Sequence, residues 1–92
     1  MGIDISEKTF EFDSVGFGQR LWTLRQGRGL SVRELARELG CSKACVWQWE
    51  YGRRSPHAEY LCRMSKFFNV SIDYLCFGRE YESPWVKVKV DD

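Results

Sequence analysis

The sequence is short of several things. It has a single histidine, His57, two prolines and no Cys-x-x-Cys pair. No apolar run approaches the ~20 residues that a membrane span requires. Without a second histidine or a carboxylate–histidine pattern, no side-chain set stands ready to activate a nucleophile, so no catalytic residue is expected. The four cysteines, Cys41, Cys45, Cys62 and Cys76, are too few for a disulfide scaffold. Cys41 and Cys45 supply only two of the usual four zinc ligands. They read as reduced, structural thiols of a cytosolic chain. The start, MGIDISEK, lacks a basic stretch followed by an apolar one, so a secretory signal is not expected. MGIDIS and Asn69–Ser71 match loose myristoylation and glycosylation patterns and are read as chance. No metal, cofactor, membrane or small-molecule substrate is expected.

Net charge is also nearly absent, at +1, but the average hides the layout. Residues 16–66 carry ten Lys and Arg against four acids, a net of +6. Residues 1–15 sum to −3 and residues 67–92 to −2. A basic middle between acidic ends can steer a polyanion, because the local field and not the total charge does the steering. At 92 residues, 43% apolar and 29% charged, the chain reads as one small globular domain.

What is present is a series of short helices with clear punctuation. Phe17, Leu21 and Leu24 form a helical stripe, with Trp22 beside it, ended by Gly27 and Gly29. In LSVRELARELG, Ser31 and Glu34 form a capping box, and Gly40 supplies the following turn. Ser42 caps a helix that runs to about Tyr51, where Gly52 stops it. Ser55 and Pro56 are expected to start a fourth helix, with Leu61, Cys62, Ser65 and Phe68 on one face. Ser71 caps a fifth, IDYLCF, closed by Gly78.

Two short helices joined by a tight glycine turn, with three more around them, form the layout of a helix-turn-helix. Ala36 must be small where the second helix crosses, and Leu35, Leu39, Cys41, Val46 and Trp49 fall on the facing sides. The span Arg20 to Gly78 resembles the Cro/CI-type helix-turn-helix domain of phage repressors and related bacterial regulators. The resemblance rests on LS-x-x-ELA-x-x-LG, on W-x-x-G-x-x-SP and on the final S-x-D-x-L. It implies a compact, all-α, five-helix domain over residues 16–78, with its motif at 32–51. It also implies a cytoplasmic regulator, usually a homodimer, that binds double-stranded operator DNA to control transcription, most simply as a repressor.

Carried over residue by residue, the helix 42–51 looks like the recognition helix. At ~100° per residue Lys43 lies below Trp47 and Ala44 below Gln48, which makes these four the expected base contacts. Lys43 suits guanine, Gln48 suits adenine or one edge of another base, and Ala44 and Trp47 suit a thymine methyl. The family usually has a smaller, often polar residue at Trp47, so that side chain either meets DNA or packs elsewhere. Expected phosphate contacts are Ser31 and Ser42 at helix starts, and Tyr51, Arg53 and Arg54 after the recognition helix, with Arg33 and Arg20 in support. Arg25 and Glu50 match a family ion pair that orients this helix. Val32 departs from the glutamine that many relatives carry, and can bond neither phosphate nor recognition helix through its side chain.

The chain ends carry alternation of period two. Residues 9–12 form a weak strand signal within the arm 1–15, and residues 85–90, WVKVKV with Trp85, Val86, Val88 and Val90, form a clearer one within the segment 79–92. The C-terminal strand is expected to build a dimer sheet, the alternative being an intrachain cap on the helices. The competing reading of the whole is an antitoxin-like or co-regulator module that binds a protein partner on the same fold.

Overall fold

The protein's structure, a computed structural model, describes residues 12–79. Five helices follow in order: α1 (Ser14–Gly27), α2 (Val32–Leu39), α3 (Lys43–Glu50), α4 (Ala58–Phe68) and α5 (Ile72–Phe77). Among the described residues there is no strand, and no helix is long and apolar enough to cross a membrane. The expected strands at 9–12 and 85–90, with Trp85, Val86, Val88 and Val90, lie outside the described residues except for Phe12. Phe12 packs its ring on Phe17, with centroids 5.3 Å apart.

Local capping explains most of the boundaries. The Ser31 hydroxyl accepts from the Glu34 N–H at 3.0 Å, and the Glu34 carboxylate accepts from the Ser31 N–H at 2.8 Å. Such a cap contributes about 1 kcal/mol. Gly40, at φ 74° and ψ 38°, takes the left-handed conformation that lets the chain leave α2 and start α3 three residues later. Ser42 and Ser71 cap α3 and α5 by accepting from the N–H groups of Cys45 and Tyr74.

Three expectations are corrected. First, α1 starts at Ser14 and not at Phe17, where its apolar stripe begins, because the Asp13 carboxylate accepts from the Gly16 N–H at 3.0 Å and acts as its cap. Second, α4 starts at Ala58: its N-cap is His57, without a side-chain cap bond, and Ser55 and Pro56 belong to the preceding loop, with Pro56 buried. Third, the α4 face that meets the core is Met64 and Phe68, flanked by Leu61, whereas Cys62 is exposed. Cys62 lies ~160° around the helix from Met64, so it cannot share that stripe.

The core joins Phe17 and Leu21 of α1, Leu35, Ala36 and Leu39 of α2, Val46 and Trp49 of α3, Met64 and Phe68 of α4, and Leu75 of α5. Burying each of the larger side chains contributes roughly 1.5–3 kcal/mol. α3 packs on both α1 and α2, and α5 packs on α1 and α4. The second helix of the motif is thereby wedged on one side and left open on the other.

Candidate nucleic-acid interface

The site begins with what holds α3 in place. Arg25 on α1 reaches the last residue of α3, Glu50, by two bonds: Nε to Oε2 at 2.6 Å and Nη2 to Oε1 at 3.0 Å. Its Nη1 donates to the Leu30 carbonyl at 2.8 Å, which ties the α1–α2 loop into the same junction. Both side chains are at least nine-tenths buried. A pair so buried fixes geometry more than it adds net stability.

Two further residues clamp the motif from α4, and neither was singled out from sequence. Arg63 Nη1 donates to the Leu39 carbonyl at 2.7 Å, satisfying one open carbonyl at the end of α2, and its Nη2 pairs with Glu59. Tyr60 sets its ring 5.4 Å from that of Trp49. A cation near a helix C-terminus is the signal that points to Arg63, but it is visible only once α4 is known to cross that end.

The open side of α3 presents Lys43, Ala44 and Trp47 to solvent, with Gln48 half-buried at its edge. The Trp47 indole is 49% exposed, and the Lys43 Nζ sits 5.4 Å from its ring centroid in a cation–π contact. Gln48 Oε1 accepts from Arg54 Nη1 at 3.4 Å. Gln48 and Arg54 also line one open cleft of about 170 Å³ with Cys45, Trp49, Ser55, His57 and Tyr60.

The remaining site residues fall into two groups. Ser31 and Ser42 sit exposed at the starts of α2 and α3, and Arg33, Tyr51, Arg53 and Arg54 are exposed as well. Arg20 is placed elsewhere. Its Nε donates to the Leu75 carbonyl at 2.8 Å, tying α1 to α5, and its Nη2 is buried with no hydrogen-bond partner among the described residues. On α1, Arg20 lies ~140° around from Arg25, the residue that faces α3. Val32 is half-buried against the core.

Electrostatics add two points. The backbone and hydroxyl bonds from Ser31 hold the Glu34 carboxyl below its ordinary value. Burial, and then the neighbouring Cys45, push the Cys41 thiol up, and burial does the same at Cys76, so both favour the protonated form. Among the described residues no group of three or more His, Cys, Asp or Glu lies together to hold a metal ion.

With this geometry in view, known proteins share it. The Helix-turn-helix (HTH_3) family model matches residues 23–75. The HTH-type transcriptional activator BcrR of Enterococcus faecalis is 41% identical over 64 residues, which are 70% of this chain and 31% of that protein. The restriction-modification controller protein C.AhdI from Aeromonas hydrophila superposes with a TM-score of 0.63 at 32% identity, covering 68% of this chain and 96% of that one. The P22 c2 repressor, solved in complex with the synthetic operator 9T, superposes at 0.66 with 30% identity, again over 68% and 96%. The matched region spans from 31% to 63% of the length of the curated relatives. On the motif Val32–Tyr51, the five-helix frame around it and these matches, the chain belongs to the Cro/CI-type helix-turn-helix family.

Proposed function

We propose that the protein is a sequence-specific, DNA-binding transcriptional regulator that acts in the cytoplasm of a bacterium or on a phage genome within it. In this reading α3 enters the major groove, with Lys43, Ala44, Trp47 and Gln48 toward base edges. Ser31, Ser42, Arg33, Tyr51, Arg53 and Arg54 grip the phosphates on either side. The observation that carries the reading is the outward face of α3 itself. It is open, it bears one cation, one amide and one indole, and it sits on a helix held by the buried Arg25–Glu50 pair. The operator-bound P22 c2 repressor supports the same use of the fold.

A homodimer on a two-fold symmetric operator completes the proposal, with half-sites about one turn, ~34 Å, apart. The proposed dimer contact is the segment 79–92, with Val86, Val88 and Val90 on one side of an alternating stretch and Trp85 at its start on the other. Repression by occluding polymerase is the simplest outcome of such binding. One relative, BcrR, is named as a transcriptional activator, so activation is the other outcome the proposal admits.

Selection of bound sequences from random DNA tests this directly. The expected result is a two-fold symmetric motif, together with a dimer by light scattering at micromolar concentration. Enrichment of no sequence would remove the DNA-reading role and favour a protein-interaction module. A single asymmetric half-site bound by a monomer would remove the dimer.

A further inference from the structure

We propose that Arg54 decides which base Gln48 reads, by holding the oxygen end of its amide. The inference rests on α3 being the DNA-reading helix and goes beyond the phosphate role given to Arg54 above. Two contacts bring the residues together. Arg54 Nη1 donates to Gln48 Oε1 at 3.4 Å, and the Arg53 N–H donates to the Gln48 carbonyl at 2.8 Å. The backbone after Gly52 is thus folded back onto Gln48, and the Arg54 side chain follows it into the same cleft. The bond is at the long end of the hydrogen-bond range, so it biases the amide and does not lock it.

The chemistry of the two groups gives the bias its direction. A glutamine amide offers an acceptor oxygen at one end and two N–H donors at the other. A guanidinium carries donors only, so it can hold only the oxygen. With Oε1 drawn toward Arg54, the Nε2 donors are what Gln48 presents to the groove. Guanine displays two acceptors there, O6 and N7, whereas adenine needs the amide oxygen for its N6 donor as well as the amide N–H for N7. Reading adenine with both amide atoms would make Oε1 divide itself between Arg54 and the adenine N6 donor, which weakens that pairing. Gln48 is therefore biased to guanine over adenine.

Arg54 has further N–H donors in the same planar fork, and a phosphate oxygen is the acceptor that suits them. A phosphate so bound pins the guanidinium, and the guanidinium in turn orients the amide. Arg54 is then a positioning residue that couples backbone grip to base choice. Lys43 and Trp47, which pair with each other, stand apart from this device.

The test is selection from random DNA with the full chain, its Arg54→Ala and Gln48→Ala variants and the double variant. The base pair where Gln48→Ala relaxes the preference identifies the Gln48 contact. Guanine is expected there for the unaltered protein. Arg54→Ala should shift that one preference toward adenine by roughly three- to tenfold, the worth of one modest hydrogen bond. In the double variant Arg54→Ala should change nothing further at that pair. Uniform weakening on all sequences by Arg54→Ala, with no change at that pair, would overturn the proposal. Adenine preferred by the unaltered protein would overturn it equally. If the unaltered protein enriches no motif at all, the failure lies with the DNA-reading role itself, and this inference falls with it.

Discussion

Gly18 leaves no room for a side chain beneath Glu50. A Cβ at Gly18 would lie 2.5 Å from the Glu50 carbonyl oxygen and 2.5 Å from that of Trp49. The backbone of α1 therefore rests directly on the C-terminal end of α3. Glycine within a helix normally costs about 1 kcal/mol against alanine, so Gly18→Ala would stabilise α1 if the helix stood alone. Here both clashing atoms are backbone, which cannot swing aside. Gly18→Ala is expected to destabilise the domain by about 1–3 kcal/mol, the range for overpacking. A urea melt reads the difference, and a raised midpoint would refute the close approach.

The Arg25–Glu50 junction lies just beyond this contact. Removing one partner strands a buried charge, so Arg25→Met and Glu50→Leu should each cost about 3–5 kcal/mol. The double variant should recover much of that loss, because two apolar groups leave nothing unpaired. It should still bind DNA more weakly, since no side-chain bond then orients the end of α3 on α1. Denaturation of all four proteins gives the coupling energy. Additive losses would mean that the two side chains do not act as a pair.

How much of this was legible in the sequence depends on the range of the interaction. The caps at Ser31, Ser42 and Ser71 and the turn at Gly40 act within a few residues, and the structure has each of them where the sequence puts it. The all-α, five-helix architecture follows from them. The start of α4 did not follow, because Ser55-Pro56 is an acceptable helix start locally and the burial of Pro56 is decided by tertiary packing. Asp13, just after the weak strand signal at 9–12, caps α1 with its side chain, and no apolar stripe reaches back to point to it. Gly18 and Arg63 matter only because another helix crosses them. Within the site, periodicity identifies the outward residues of α3, but not the partners they choose. Neither Gln48 with Arg54 nor Arg20 with the end of α5 can be read from spacing.

The placement of Arg20 separates two kinds of arginine. Arg53 is exposed beside the end of α3, so Arg53→Ala should lower the slope of log affinity against log salt by about 0.9 per protomer, or about 1.8 for the proposed homodimer. Arg20 holds the Leu75 carbonyl, so Arg20→Ala should leave the slope intact and lower the melting temperature instead. Salt titration of binding beside a thermal melt checks both. A reduced slope for Arg20→Ala would return it to the phosphate-binding group.

Acid should undo the capping box at the start of α2. Folding holds the Glu34 carboxyl below its ordinary value of 4.5, so the ionised form favours the folded state. That contribution is present above the unfolded value and fades as pH falls through the folded one. The stability gap between the unaltered protein and Glu34→Gln should therefore be present near neutral pH and shrink as pH falls below the ordinary carboxylate range in urea melts. A gap that widens in acid would mean that another group governs the start of α2.

Trp47 is the residue whose role the sequence leaves open, and the structure gives it a partner in Lys43. Ring and ammonium lie one turn apart on α3, with the Nζ 5.4 Å from the ring centroid, and the indole is half exposed. A cation–π contact at an exposed site is worth about 0.5–1 kcal/mol, enough to limit where the lysine reaches but not to fold the domain. Trp47→Ala should therefore change stability by no more than about 1 kcal/mol. Its effect should fall on binding. If the indole guides Lys43 to its base, Trp47→Ala and Lys43→Ala will each weaken operator binding, and the double variant will lose less than the two losses together. Trp47→Phe, which keeps a ring under the ammonium, should retain most of the affinity. Additive losses on the operator would instead make Trp47 an independent contact. No loss from Trp47→Ala on any DNA would assign the indole to a surface other than the groove.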